Sequence, residues 1–213
     1  MSSQKLSPAR LEAFTDGVIA VIITILVLEL KVPAQDGLAG LRVVWPTLLL
    51  YLLTFVQVGI YWVNHHYLLD EVESVSHGIL WANLAFLFFL SLFPFVTLWI
   101  GTRGLSSFST ALYALESLLP GLSYSVLWVA VRSRSTNPPH ATWGKQIASV
   151  SLYTGAIPVA FYSRSLSLAM ISVVAVMWLL PPKPNETGER DYCHSPARTG
   201  APPNSAPPPA EKR

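Results

Sequence analysis

The sequence predicts an all-α membrane protein with six transmembrane helices, and three observations carry that prediction. The 213 residues have a mean hydropathy of +0.45 and are 52% hydrophobic but only 12% charged, whereas a soluble domain carries about a quarter charged residues. Between Phe14 and Pro181, apolar runs recur that are bounded by charge or by Gly/Pro clusters, and about 20 apolar residues suffice to span a bilayer. Lys and Arg also collect in alternate connections, the asymmetry that orients a multi-span chain. The same composition excludes a large soluble catalytic domain. The single cysteine, Cys193, excludes a disulfide framework, a four-cysteine metal site and a C-x-x-C redox pair. A net charge of +2 with scattered basic residues gives no stripe for nucleic acid.

In chain order the spans fall at 12–30, 43–64, 78–100, 108–131, 146–162 and 166–181. The last two are short, and Pro158 would kink the fifth or shift its end. One long re-entrant segment is the competing topology for that pair. Arg164 between them argues for a turn at an interface, because an arginine at bilayer centre is costly whereas one at the edge can snorkel. Lys5 and Arg10 precede span one, Arg132, Arg134 and Lys145 join spans four and five, and Lys183, Arg190, Arg198, Lys212 and Arg213 follow span six. The opposite side has Lys31, Arg42, Arg103 and Arg164, so both termini are expected in the cytoplasm. A secretory signal peptide fits the first segment poorly, because Glu12 and Asp16 interrupt the apolar region. The seven tryptophans fall mostly near span ends, as interfacial anchors. The chain therefore divides into a membrane domain, 1–181, and a Pro-rich tail, 182–213, whose composition predicts disorder rather than a docking site.

Span one carries unusual chemistry. Arg10, Glu12 and Asp16 stand at its cytoplasmic end, with Glu29 and Lys31 at the other end read as interfacial anchors. Asp16 lies about one turn inside span one and Asn83 about one turn inside span three, so their depths match. Polar groups in lipid need partners. The expectation is a network of Arg10, Thr15, Asp16, His77 and Asn83 tying spans one, two and three together, read as structural glue rather than as a proton relay. His65 and His66 lie on the same side. A metal site from His65, His66, Asp70 and His77 is weaker, because adjacent helical residues point in different directions.

A second feature of span one is an apolar stripe: Phe14, Val18, Val21, Ile25 and Leu28, with Thr24 beside it. In an ordinary bundle such a stripe is core; around an axis of several copies it would line a constriction that gates by dewetting. The motifs H-E-x-x-H, G-x-S-x-G and the P-loop are absent, as is the potassium filter T-V-G-Y-G.

These residues resemble the bacterial members of the lysosomal and endosomal potassium channel family, the transmembrane protein 175 type. That family's first-span signature is similar to Arg10, Phe14, Thr15 and Asp16 followed by L-V-L-E-L from Leu26 to Leu30. Trp62, His65 and His66 resemble its W-x-x-H-H, and His77, Asn83, Pro94 and Phe95 its third span. The resemblance implies a homotetramer in which four copies of span one line a potassium-permeable pore without a filter loop. It implies pore positions at Val21, Thr24, Ile25 and Leu28, with transient K+ near Thr24, and a scaffold of Arg10, Phe14, Thr15, Asp16, His77 and Asn83. It further implies a multi-pass protein of the bacterial plasma membrane, surrounded by lipid, with no cofactor beyond the permeant ion and no enzymatic activity. Thr15 departs from the usual serine and Val21 from the usual isoleucine, which removes one methylene per subunit at the constriction. A proton-conducting or proton-coupled transporter using Asp16 and His77 is the second reading, and a membrane-embedded enzyme the third.

Overall fold

The computed structural model describes residues 7–70, 72, 74–134 and 143–180, and among these the chain forms seven helices and no strand. The tail from 182 onward and Lys5 lie outside the described residues. Helix α1, Pro8–Leu28, opens with Ser7 extended and Pro8 in its first turn, where proline's missing N–H is harmless. Helix α2, Gly37–Asp70, is 34 residues long, about 51 Å at the helical rise and so longer than the roughly 30 Å hydrocarbon core. It exceeds the expected 43–64 at both ends, because an apolar run marks only the lipid-embedded part of a helix. Its first turn packs tightly: a Cβ on Gly40 would lie 2.0 Å from the Gln35 carbonyl oxygen.

The expected third span is two helices in succession, α3, His77–Leu90, and α4, Phe93–Arg103. Pro94 causes the break, since it cannot donate to the carbonyl one turn back; Ser91 and Leu92 instead close α3 by bonding Leu87 and Phe89. Helix α5, Ser107–Arg132, begins with a reciprocal Ser106/Ser109 capping box. Helix α6, Trp143–Tyr162, contains Pro158 and continues past it; Ser163 alone separates it from α7, Arg164–Leu179. The Arg164 guanidinium donates to the Leu105 carbonyl, pinning this turn to the start of α5.

Helix α5 is the centre of the bundle, with buried residues on every turn and contacts to α3, α4, α6 and α7. The α6 side buries Ser149, Ala156 and Ala160, small residues that let helices approach closely without the hydrophobic drive available in water. Helix α1 packs instead on α2, α3 and α4. Among the described residues four segments are long and apolar enough to cross a membrane: α1, α2, the α3–α4 succession and α5. At 16 residues α7 is shorter than a spanning helix usually needs.

Candidate functional site

Helix α1 is held at one end by two tiers of polar contacts. The inner tier is buried. The Asn83 amide donates to Thr15 Oγ1 at 2.9 Å, and its oxygen meets His65 Nε2 at 2.7 Å. An amide oxygen can only accept, so His65 presents its proton on Nε2 in this arrangement. All three side chains are almost entirely shielded, and the His65 ring stacks on Phe86 at a centroid distance of 5.8 Å. The outer tier is accessible. Trp62 Nε1 donates to Asp16 Oδ1 at 2.9 Å, and His66 Nδ1 lies 2.7 Å from Glu12 Oε1. Glu12 and Asp16 are four apart on α1, as Trp62 and His66 are on α2. Spacing of four stacks side chains on one face, so two antiparallel helices meet in register.

The adjacent pairs Thr15–Asp16 and His65–His66 each divide between the tiers because consecutive helical residues diverge by about 100°. That divergence, which weakened a shared metal site in the sequence, distributes the bonds here. Among the described residues no group of three His, Cys, Asp or Glu side chains could hold a metal ion.

Thr15 and Asn83 are brought together as a directly bonded pair, and Asp16 lies beside them on the outer tier. His77 is not in the network: it is the first residue of α3, exposed, and makes no side-chain hydrogen bond among the described residues. His65 takes the place expected for it. Arg10 is also exposed and unpaired among the described residues. Asn83 meets Thr15 rather than Asp16, which bonds Trp62 instead, because depth alone does not say which way around a helix a side chain points. Trp62 and Glu12 were absent from the expected network; the repeated spacing of four is the signal that would have found them.

The apolar stripe occupies a different face of α1 from these contacts. Leu11, Thr15, Ile19, Ile22 and Leu26 form the buried face of α1. Phe14 is 52% exposed, Val21 55%, Ile25 40% and Leu28 79%, while Val18 is partly buried against the core. The stripe is therefore not core within the subunit. It is rotated about 100° from the buried face and, Val18 aside, is largely uncovered among the described residues. Thr24 is exposed beside it and donates to the Val21 carbonyl at 2.8 Å, so its hydroxyl proton is used within the helix and its oxygen lone pairs are left outward.

A second buried polar cluster went unread in the sequence. Thr54 lies 3.0 Å from the Tyr113 hydroxyl and 3.3 Å from Thr97, and one turn on Ser117 lies 3.3 Å from Gln57 Oε1. Gln57 Nε2 and Glu116 Oε1 are buried without a hydrogen-bond partner among the described residues. This cluster ties α2, α4 and α5 together and does not touch the exposed stripe.

Comparison with known proteins gives matches of three kinds. A protein-family model described as "Endosomal/lysosomal potassium channel TMEM175" matches residues 10–94. A potassium channel of a Chryseobacterium species is 40% identical over 184 residues, covering 84% of this chain and 95% of the relative. The endosomal/lysosomal proton channel TMEM175 of Danio rerio is 35% identical over 86 residues, covering 35% of this chain and 16% of that protein. The crystal structure of a lysosomal potassium-selective channel TMEM175 homolog from Chamaesiphon minutus superimposes with a TM-score of 0.67 at 27% identity, covering 81% of this chain and 96% of that one.

Proposed function

The chain belongs to the endosomal/lysosomal potassium channel TMEM175 family, and from that premise we propose that it is a passive, potassium-permeable channel of the bacterial plasma membrane. Four copies assemble around an axis, each contributing six spans with both termini in the cytoplasm and residues 1–181 as the channel domain. Helix α1 lines the pore. Val21, Ile25 and Leu28 supply apolar layers that resist wetting, with Val21 the narrowest, and Thr24 supplies a ring of hydroxyl oxygens. Because each Thr24 donates its proton along its own helix, the ring offers lone pairs to a passing, partly hydrated K+. The ion is the permeant species and no cofactor takes part. Thr15, Asp16 and Asn83, bonded to Trp62 and His65, form the scaffold behind the pore, and the exposed Arg10, Phe14 and His77 stand outside it.

The observation that supports this reading is the asymmetry of α1: a helix fastened by buried polar bonds presents an unpartnered apolar face carrying a hydroxyl. Potassium-loaded liposomes diluted into sodium provide the test. The expected result is potassium efflux that drives proton uptake only when a protonophore is added. Absence of efflux from correctly reconstituted protein would overturn the proposal.

One observation favours a second reading, proton conduction or proton-coupled transport through Asp16 and His77: a relative of the family is named a proton channel. Asp16 is accessible, as a carrier must be, but no hydrogen bond joins it to His77 among the described residues, so transfer would run through water. Proton movement without protonophore and independent of potassium would select this reading.

A further inference from the structure

The end of the bundle where α5 finishes and α6 begins carries a cluster that conduction does not use. The Arg132 guanidinium lies over the Trp128 ring at 5.1 Å, Trp128 meets Trp143 edge-on at 4.6 Å, and Lys145 Nζ lies 5.6 Å from the Trp178 ring centre. Two cation–indole pairs thus stand at this end of the bundle, Arg132 on Trp128 with Trp143 against it, and Lys145 on Trp178. Trp178 is fixed by its own bond to Ser149 at 2.9 Å, and Lys145 also donates to the Leu180 carbonyl at 2.9 Å. Arg134 stands exposed two residues past the α5 end.

Among the described residues none of these cations has a carboxylate partner. From Ser117 to Asn185 the sequence contains no Asp or Glu, and the described ion pairs involve only His66 with Glu12 and Asp70. At the opposite end Arg164 is committed to the Leu105 carbonyl, and the exposed Arg42 and Arg103 have no aromatic ring beneath them among the described residues. A guanidinium stacked on an indole keeps its N–H edge free for an oxyanion. Tryptophans at a span end sit at headgroup level, so the oxyanion found at that depth is a phosphodiester with acyl chains beside it.

We propose that Arg132, Arg134 and Lys145, framed by Trp128, Trp143 and Trp178, form a binding surface for the headgroup of an anionic phospholipid. Each subunit carries its own copy, and binding does not depend on whether the pore conducts.

The test is retention of phosphatidylglycerol against phosphatidylcholine by the full chain purified in zwitterionic detergent, read by native mass spectrometry. Wild type retains phosphatidylglycerol preferentially, and each of Arg132→Gln, Arg134→Gln and Lys145→Gln lowers that retention about fivefold. The double variant Arg132→Lys/Arg134→Lys keeps the preference, as does the opposite-end control Arg42→Gln/Arg103→Gln. Should the neutral variants fail to assemble, the wild-type preference still has to fall with added salt. Equal retention of the two lipids, equal loss in the opposite-end control, or displacement by millimolar inorganic phosphate alone would each overturn the proposal.

Discussion

The two faces of α1 are built on opposite principles. The face toward α2 and α3 carries Thr15 at its centre, sealed from solvent and bonded through Asn83 to His65. The face carrying Val21, Ile25 and Leu28 is largely uncovered among the described residues. In lipid, apolar contact does little to choose between neighbours, because the tails are as apolar as leucine. Directional bonds therefore fix where α1 stands, and the apolar face is left free to meet other copies or water. The residues that place α1 and those on its uncovered face are therefore separable by mutation.

The largest effect is expected from Asn83→Leu. It strands the His65 ring N–H and the Thr15 hydroxyl in the interior, at roughly 1–3 kcal/mol for each stranded group. A strongly lowered unfolding temperature and loss of the assembled form on size-exclusion chromatography are expected. An unchanged melting profile would mean that the inner tier does not hold α1 and would collapse the distinction between the faces. Thr15→Val, which removes one interhelical bond while keeping shape, should cost about 0.6–2 kcal/mol.

Val21→Asn tests the other face. Because Val21 is 55% exposed within the subunit, the substitution should leave folding intact while wetting the expected constriction, and basal potassium efflux should rise severalfold. Unchanged efflux with intact assembly would remove Val21 as the narrow layer. Any large loss of stability would show that this face is packed rather than open.

Which parts of this arrangement were legible in the sequence follows from the physics of each. The helices were legible, since lipid demands long apolar runs, but the ends of α2 were not: polar residues such as His66 and Asp70 continue a helix into water without an apolar signal. The break before Phe93 was foreshadowed only by Pro94. Within the site, the Asp16 and Asn83 positions followed from depth along a span. The choice of His65 over His77 did not, because it depends on how α2 and α3 are rotated against α1. The stripe itself was legible as a stripe, yet periodicity cannot say whether an apolar face points inward, and the apolar packing expected of an ordinary bundle is not what the subunit does with it. Glu116 and Gln57 were passed over because single polar residues in α5 and α2 share no sequence spacing.

A smaller effect is expected from Asp16→Asn, and it separates the two conduction readings. An amide oxygen still accepts from Trp62 Nε1, so stability should change by less than about 1 kcal/mol and potassium efflux should persist. Loss of proton flux with assembly intact would instead make Asp16 a carrier.

The smallest effect is expected at the rim of the outer tier. His66 lies 2.7 Å from Glu12 and 3.9 Å from Asp70, with its side chain half exposed. Exposed pairs of this kind contribute about 0–1 kcal/mol and weaken with salt. His66→Ala should therefore lower the melting temperature of the purified protein only slightly, and the difference from wild type should shrink further at high ionic strength. A loss comparable to that of Asn83→Leu would place the latch on α1 in the outer tier, and burial would no longer be what distinguishes the bonds that position the helix.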